Sequence, residues 1–231
     1  MKKGILILIV FIVTGITNSF GQGCSDAGFC SVGAMHSGSE DDNNRSSIGL
    51  NLGYGIGDIS VGINSNRIVS VLNADFKGDF VLSEKSKLGI KIPFSSSGDT
   101  MGNGLSGLSD PIITYSTRVK KTENTQLWLS AGVRIATNDG NKDGLPMIYQ
   151  TSLGTHDLIL GASYQFNSWK LAVGYQQPLI NGNKNASFNH STNLVLSNSF
   201  IRKSDALLRF ERLFKIKKAQ LSAGLLGIYH M

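Results

Sequence analysis

The side chains with the most reactive chemistry lie close together near the start of the chain. Cys24 and Cys30 flank Ser25-Asp26-Ala27-Gly28-Phe29, and Met35 and His36 follow shortly after. In an oxidising compartment two such cysteines usually join as a disulfide. Closing so small a loop stabilises by about 2–3 kcal/mol on the chain-entropy view. The same four residues offer thiolate, thioether and imidazole, donors that suit copper or zinc, although C-x5-C is not a usual structural-zinc spacing. Cys24 could also carry a lipid. Disulfide staple, soft-metal site and lipidated cysteine are the three uses this segment admits.

Beyond that segment the sequence offers no catalytic set. His36, His156, His190 and His230 are widely separated. There is no Gly-x-Ser-x-Gly elbow, no phosphate-binding loop and no His-Glu-x-x-His. The glycines between Gly102 and Gly107 sit in a polar stretch with no helix pattern behind them. Neither an enzyme nor a cofactor is expected. The remaining chemistry is carried by isolated charges: Asp75, Lys77, Asp79, Lys91, Arg118, Arg134, Lys170, Arg209 and Glu211. Most should pair with one another in an interior, and some could line a route for a solute. Asp110 and Asp157 stand where turns enter strands. Such an aspartate can reach inward, or it can serve as a turn residue bonded to its own backbone.

The elements that would position these charges are strands. Residues 1–21 read as a secretory signal peptide: Lys2 and Lys3, an apolar stretch Ile5 to Val13, then Ser19-Phe20-Gly21 before the cut. Without Lys2 and Lys3 the chain holds 20 basic and 16 acidic residues, an excess of four with no basic stripe for nucleic acid. Only 16% of residues are charged, against about 25% in an ordinary soluble domain. There are 27 glycines and only 4 prolines, and mean hydropathy is −0.01. Strands with one apolar and one polar side would cancel in just this way.

The alternation is explicit. Ile68, Leu72, Ala74, Phe76, Phe80 and Leu82 share one side of residues 68–82, and Asn73, Asp75, Lys77 and Asp79 share the other. Leu127, Leu129, Ala131, Val133 and Ile135 oppose Trp128, Ser130, Gly132 and Arg134. Residues 158–166 and 169–175 repeat the pattern, and further strands are expected at 48–62 (with a break at Gly57-Asp58), 87–94, 110–119, 205–214 and 219–229. Phe94, Phe166, Trp169 and Tyr175 end or begin apolar rows, as interfacial aromatic girdles do. Short turns at 83–86, 120–124 and 167–168 alternate with long polar connections at 95–107, 138–145 and 181–193. Short periplasmic turns and large outer loops produce that alternation in outer-membrane barrels.

The fold expected is therefore all-β: an antiparallel transmembrane β-barrel of about 8–12 strands over 48–231. An irregular N-terminal segment, 22–47, would act as a plug. A secreted β-sandwich is the soluble rival, since it too strings together short alternating strands. Nine strands are countable, whereas single-chain bacterial barrels close on an even number. His230-Met231 follow Tyr229, where an aromatic residue commonly ends the last strand. Either a strand is miscounted or the sequence stops short of its natural end.

Three segments carry a family resemblance. Ser106-Gly107-Leu108-Ser109-Asp110-Pro111 is similar to a Gly-Leu-Gly-Asp motif that enters a strand. Gly154-Thr155-His156-Asp157-Leu158-Ile159-Leu160-Gly161 resembles a Gly-x-x-Asp turn leading into another, and Lys87 to Phe94 ends in a similar Ile-Pro-Phe. The family is the outer-membrane transporters linked to the meta-pathway of phenol degradation, distantly related to long-chain fatty-acid channels. Over residues 66–180 the resemblance implies passive uptake of small hydrophobic solutes by a porin-like barrel in the outer membrane of a Gram-negative bacterium. Its partners would be outer-membrane lipid, the solute and the barrel-assembly machinery. A non-transporting barrel with partner-binding outer loops is the other membrane reading.

Overall fold

The computed structural model describes residues 45–60, 66–185, 187–188, 196–197, 202–216 and 219–231. The expected signal peptide, almost all of the expected plug and the set Cys24, Cys30, Met35 and His36 lie outside these residues.

The described chain is all-β, with no α-helix among the described residues. Strands β1 (Ser47–Ser60), β2 (Asn66–Ser83), β3 (Ser86–Asp99), β4 (Gly104–Leu108), β5 (Ile112–Lys121) and β6 (Thr125–Arg134) come first. β7 (Thr155–Phe166), β8 (Trp169–Asn181), β9 (Ser187–Phe188), β10 (Leu196–Ser197), β11 (Asp205–Ile216) and β12 (Ala219–His230) follow. One antiparallel sheet runs β1-β2-β3-β5-β6-β7-β8-β11-β12, with β4 added beside β3, and β9 and β10 pair separately. The sheet curls into a half-barrel instead of splitting into the two facing layers of a sandwich. Among the described residues β1 and β12 are its two edges, each paired on one side.

Every strand of the nine-strand path overlaps a segment expected from alternation. Two details differ. β1 runs unbroken through Gly57 and Asp58, because both continue the ladder with Val69 and Ile68 of β2. Residues 95–107, expected as a loop, are a hairpin: β3 extends to Asp99 and pairs with β4 from Phe94↔Leu108 to Gly98↔Gly104. Ser95, Ser96, Ser97 and Gly98 show no apolar alternation, so the pattern concealed a strand that backbone pairing supports.

The faces follow the period of two. Ile68, Leu72, Phe76, Phe80 and Leu82 are exposed on the convex side, while Val69 is buried on the concave side. In β1 the outward row is Ile48, Leu50, Leu52, Tyr54 and Ile56, and the inward row is Gly49, Asn51, Gly53, Gly55 and Gly57. Curling brings inward Cβ positions together, and Gly132 shows the consequence. A Cβ there would overlap the Thr114 methyl and lie 2.6 Å from the Ile113 carbonyl oxygen. Gly132→Val is expected to destabilise by about 3 kcal/mol, at the upper end of ordinary overpacking. Gly53→Ala, with nothing within 4 Å of its new Cβ, should be near neutral. Urea unfolding of the two variants side by side checks this.

Candidate functional site

The concave face holds the chain's buried polar groups. Asp75 and Lys91 pair across β2 and β3 at 2.9 Å. Arg209 and Glu211 pair along β11 at 3.0 Å, with Lys170 of β8 buried directly across from Glu211. Arg118 donates to the Glu84 carbonyl at 2.7 Å, and its guanidinium lies 5.5 Å from the Trp128 ring centre. Lys87 approaches the same ring at 5.6 Å. Lys77 and Asp79 share the inward row of β2 with Asp75.

Near the long connections stands a buried cluster. Asp157, only 1% exposed, receives bonds from Arg134, Gln176 and Arg202, the last at 3.2 Å. Arg134 also donates to the Thr155 hydroxyl at 3.0 Å, and Arg202 pairs with Asp205 at 2.6 Å. These groups come from β6, β7, β8, β11 and the segment just before β11. Arg202, Asp205, Gln176 and Thr155 escaped the sequence reading. Asp205 and Gln176 had a signal, the first in phase with Arg209 and Glu211 and the second in phase with Lys170.

Asp110 and Asp157 are bonded across the fold, not to their own turns. Asp110 accepts from the backbone N–H groups of Thr137 and Leu153, both at 2.9 Å. It thereby fastens both ends of the connection between β6 and β7. That connection, expected as an outer loop, folds onto the concave face. Its two 3-10 turns, Lys142–Gly144 and Met147–Tyr149, place Tyr149 against Val69 and Leu105 at 3% exposure. Ser97 donates to the Tyr149 carbonyl at 3.0 Å. Asn185 donates to the Gly140 and Leu145 carbonyls at 2.8 Å each, and Asn183 donates to the Leu153 carbonyl at 2.7 Å. The connection thus turns inward with Leu145, Ile148 and Tyr149 packed on the sheet, and side-chain amides satisfy its backbone.

Beneath this connection lies a cavity of about 220 Å³. Asn73, Asp75, Lys91, Ser95, Arg134 and Thr151 supply its polar wall, and Val71, Ile112, Ile148 and Leu153 supply apolar surface. The space suits a small amphiphilic molecule or a passage narrowed by the connection above it. No cluster of metal-ligating side chains occurs among the described residues.

At the β3–β4 tip, Asp99 accepts from the Asn103 side-chain amide (2.9 Å), the Tyr149 hydroxyl (2.8 Å) and the N–H groups of Asn103 and Met101 (2.9 Å each). These bonds, the Asn103 amide foremost, hold its carboxyl well below the usual carboxylate range. A depressed folded value contributes stability above the ordinary carboxylate pKa, and the contribution fades as pH falls through the folded value. A carbon-detected NMR titration should find Asp99 still ionised at pH 3, below the ordinary aspartate range.

Comparison with protein-family models finds no match. Comparison with curated proteins finds none either.

Proposed function

We propose that the curled sheet is the wall of a transmembrane β-barrel in a bacterial outer membrane, and that the barrel passes small, hydrophobic solutes by diffusion without a cofactor. The observation that carries this reading is the inversion of the sheet's two faces. Large apolar side chains cover the convex side, and paired charges fill the concave side. The outward rows of β2 (Ile68 to Leu82), β3 (Ser86 to Gly98), β7 (His156 to Phe166) and β8 (Trp169 to Gln177) contain no Asp, Glu, Lys or Arg. An exposed apolar surface of this extent marks a membrane or a partner interface. No helix of the described residues is long and apolar enough to span a membrane.

Aromatic residues favour the membrane over a protein partner. At the short-turn end Trp169 stacks on Phe210 at 4.9 Å, and Phe166 and Phe214 stand beside them. Arg212, an outward charge, lies 4.9 Å from the Trp169 ring centre and 5.1 Å from that of Phe214. Aromatics with a basic residue reaching toward water are the chemistry of a headgroup interface. Tyr175 lies six residues along β8 from Trp169, about 20 Å at the rise of an extended strand. An apolar band of about 25 Å is what such barrels present.

On this reading the short turns face the periplasm and the long connections face outward. The inward β6–β7 connection narrows the lumen. The resemblance to the phenol-pathway transporters points to the same solute class. Swelling of vesicles carrying the purified protein, with solutes of graded size and polarity, tests the proposal. Entry of small solutes supports it, whereas sealed vesicles would favour a non-transporting barrel that uses its outer loops for partners.

A further inference from the structure

The concave charges are not evenly distributed along the strands. Among the described side chains, the half nearer the short turns holds Lys77, Lys87, Arg118, Lys170 and Arg209, with Asp79 and Glu211 as the acids. In the half under the long connections the cations are Lys91, Arg134 and Arg202, set against Asp75, Asp99, Asp110, Asp157 and Asp205. One half therefore carries an excess of three positive charges, and the other an excess of two negative ones. The division does not cut through any of these ion pairs: Arg209–Glu211 falls in the first half, and Asp75–Lys91, Arg134–Asp157 and Arg202–Asp205 fall in the second.

The two halves also differ in how their charges are held. The acidic half is held by a network of buried groups, with Asp157 bonded to both arginines, Asp205 bonded to Arg202 and Asp110 fixed to backbone amides. Its field is spent largely inside the wall. The basic half is more open: Lys77, Lys87, Arg118 and Arg209 are only partly buried and face the concave space. Low-dielectric walls focus the field of such groups into the space between them, raising counter-ion concentration about tenfold or more. Charged rings of one sign set ion selectivity in pores by this means.

We propose that the short-turn half of the concave face is an anion-selective band, so that the channel prefers anions and conducts unequally in the two directions. The proposal rests on the channel reading above and adds the charge class of what passes. The mechanism needs no covalent step. An anion entering from the short-turn side meets attraction at once, whereas one entering from the loop side must first pass the acidic half.

The test uses the full-length protein in planar bilayers under a potassium chloride gradient. The expected result is a reversal potential showing several-fold preference for chloride over potassium, with a current that differs between voltage signs. Lys77→Gln combined with Lys87→Gln should bring the permeability ratio close to one. Lys184→Gln, which alters an exposed outer side chain, should leave it unchanged. A conducting wild type with no preference or with cation preference would overturn the anion band and leave the channel standing. So would an unchanged ratio in the double variant, provided its heat-dependent gel migration shows that it folds. Absence of any current in the wild type would remove the channel and this inference together.

Discussion

Asp157→Ala is expected to cost about 3–5 kcal/mol, the range seen when one partner of a buried ion pair is removed. Arg134 and Arg202 both bond to the Asp157 carboxylate, and both are almost completely buried. Without it Arg134 keeps only the Thr155 hydroxyl as a side-chain partner, and Arg202 keeps Asp205. Arg134 would then be a buried charge without a carboxylate beside it, in a place with little water. Asp157→Asn should fall between wild type and Asp157→Ala, because an amide can still accept a bond but cannot balance charge. The pair Arg134→Met with Asp157→Leu should recover much of the loss, since the isolated positive charge goes with the negative one. Unfolding in urea from lipid vesicles measures all four proteins on one scale. If Asp157→Ala unfolds at the wild-type midpoint, the cluster is not a structural centre of the sheet.

The second large effect is expected on the other face. Val173 is 45% exposed on the convex side of β8, between Ala162 and Leu208. On a solvated surface Val173→Arg would change stability by no more than about 0.5 kcal/mol. In the middle of a bilayer the same change costs about 2–4 kcal/mol. The position lies midway between Trp169 and Gln177, where the guanidinium is furthest from either headgroup layer. Arg212 already tolerates a charge on this face, but only at the aromatic level. Moving the arginine along the strand should therefore give a graded penalty, largest at Val173 and smallest beside Trp169. A flat profile would place water against the convex side.

Much of the sheet could be read directly from side-chain alternation. In 68–82, 127–135, 158–166 and 169–175 one face is apolar and the other polar, so a slip of one residue would invert both, and the register is strongly specified. The charges Asp75, Lys91, Arg134, Lys170, Arg209 and Glu211 could be assigned to one face for the same reason. Contacts fixed by loops were not legible. Residues 138–144 are polar or glycine, and a polar stretch normally signals an outward loop, although the apolar Leu145, Met147, Ile148 and Tyr149 that follow did carry a signal for the inward turn. Here Asp110, Asn183 and Asn185 satisfy its backbone from distant positions. Arg202 lies in a segment without alternation, yet it completes the cluster around Asp157. The Ser95–Gly98 end of β3 shows the same limitation: ladder bonds define that strand, and serine side chains leave no periodic trace.

The chain contains two tryptophans, one on each face. Trp128 is buried on the concave side at 6% exposure, and Trp169 is 39% exposed in the outward aromatic row. Trp128→Phe and Trp169→Phe each leave a single emitter, which can be placed in vesicles whose acyl chains carry bromine. If the convex face lies in lipid, the protein retaining Trp169 loses most of its fluorescence relative to plain vesicles, and the protein retaining Trp128 is nearly unaffected. Equal emission from Trp169 in brominated and plain vesicles would mean that this face never meets the bilayer.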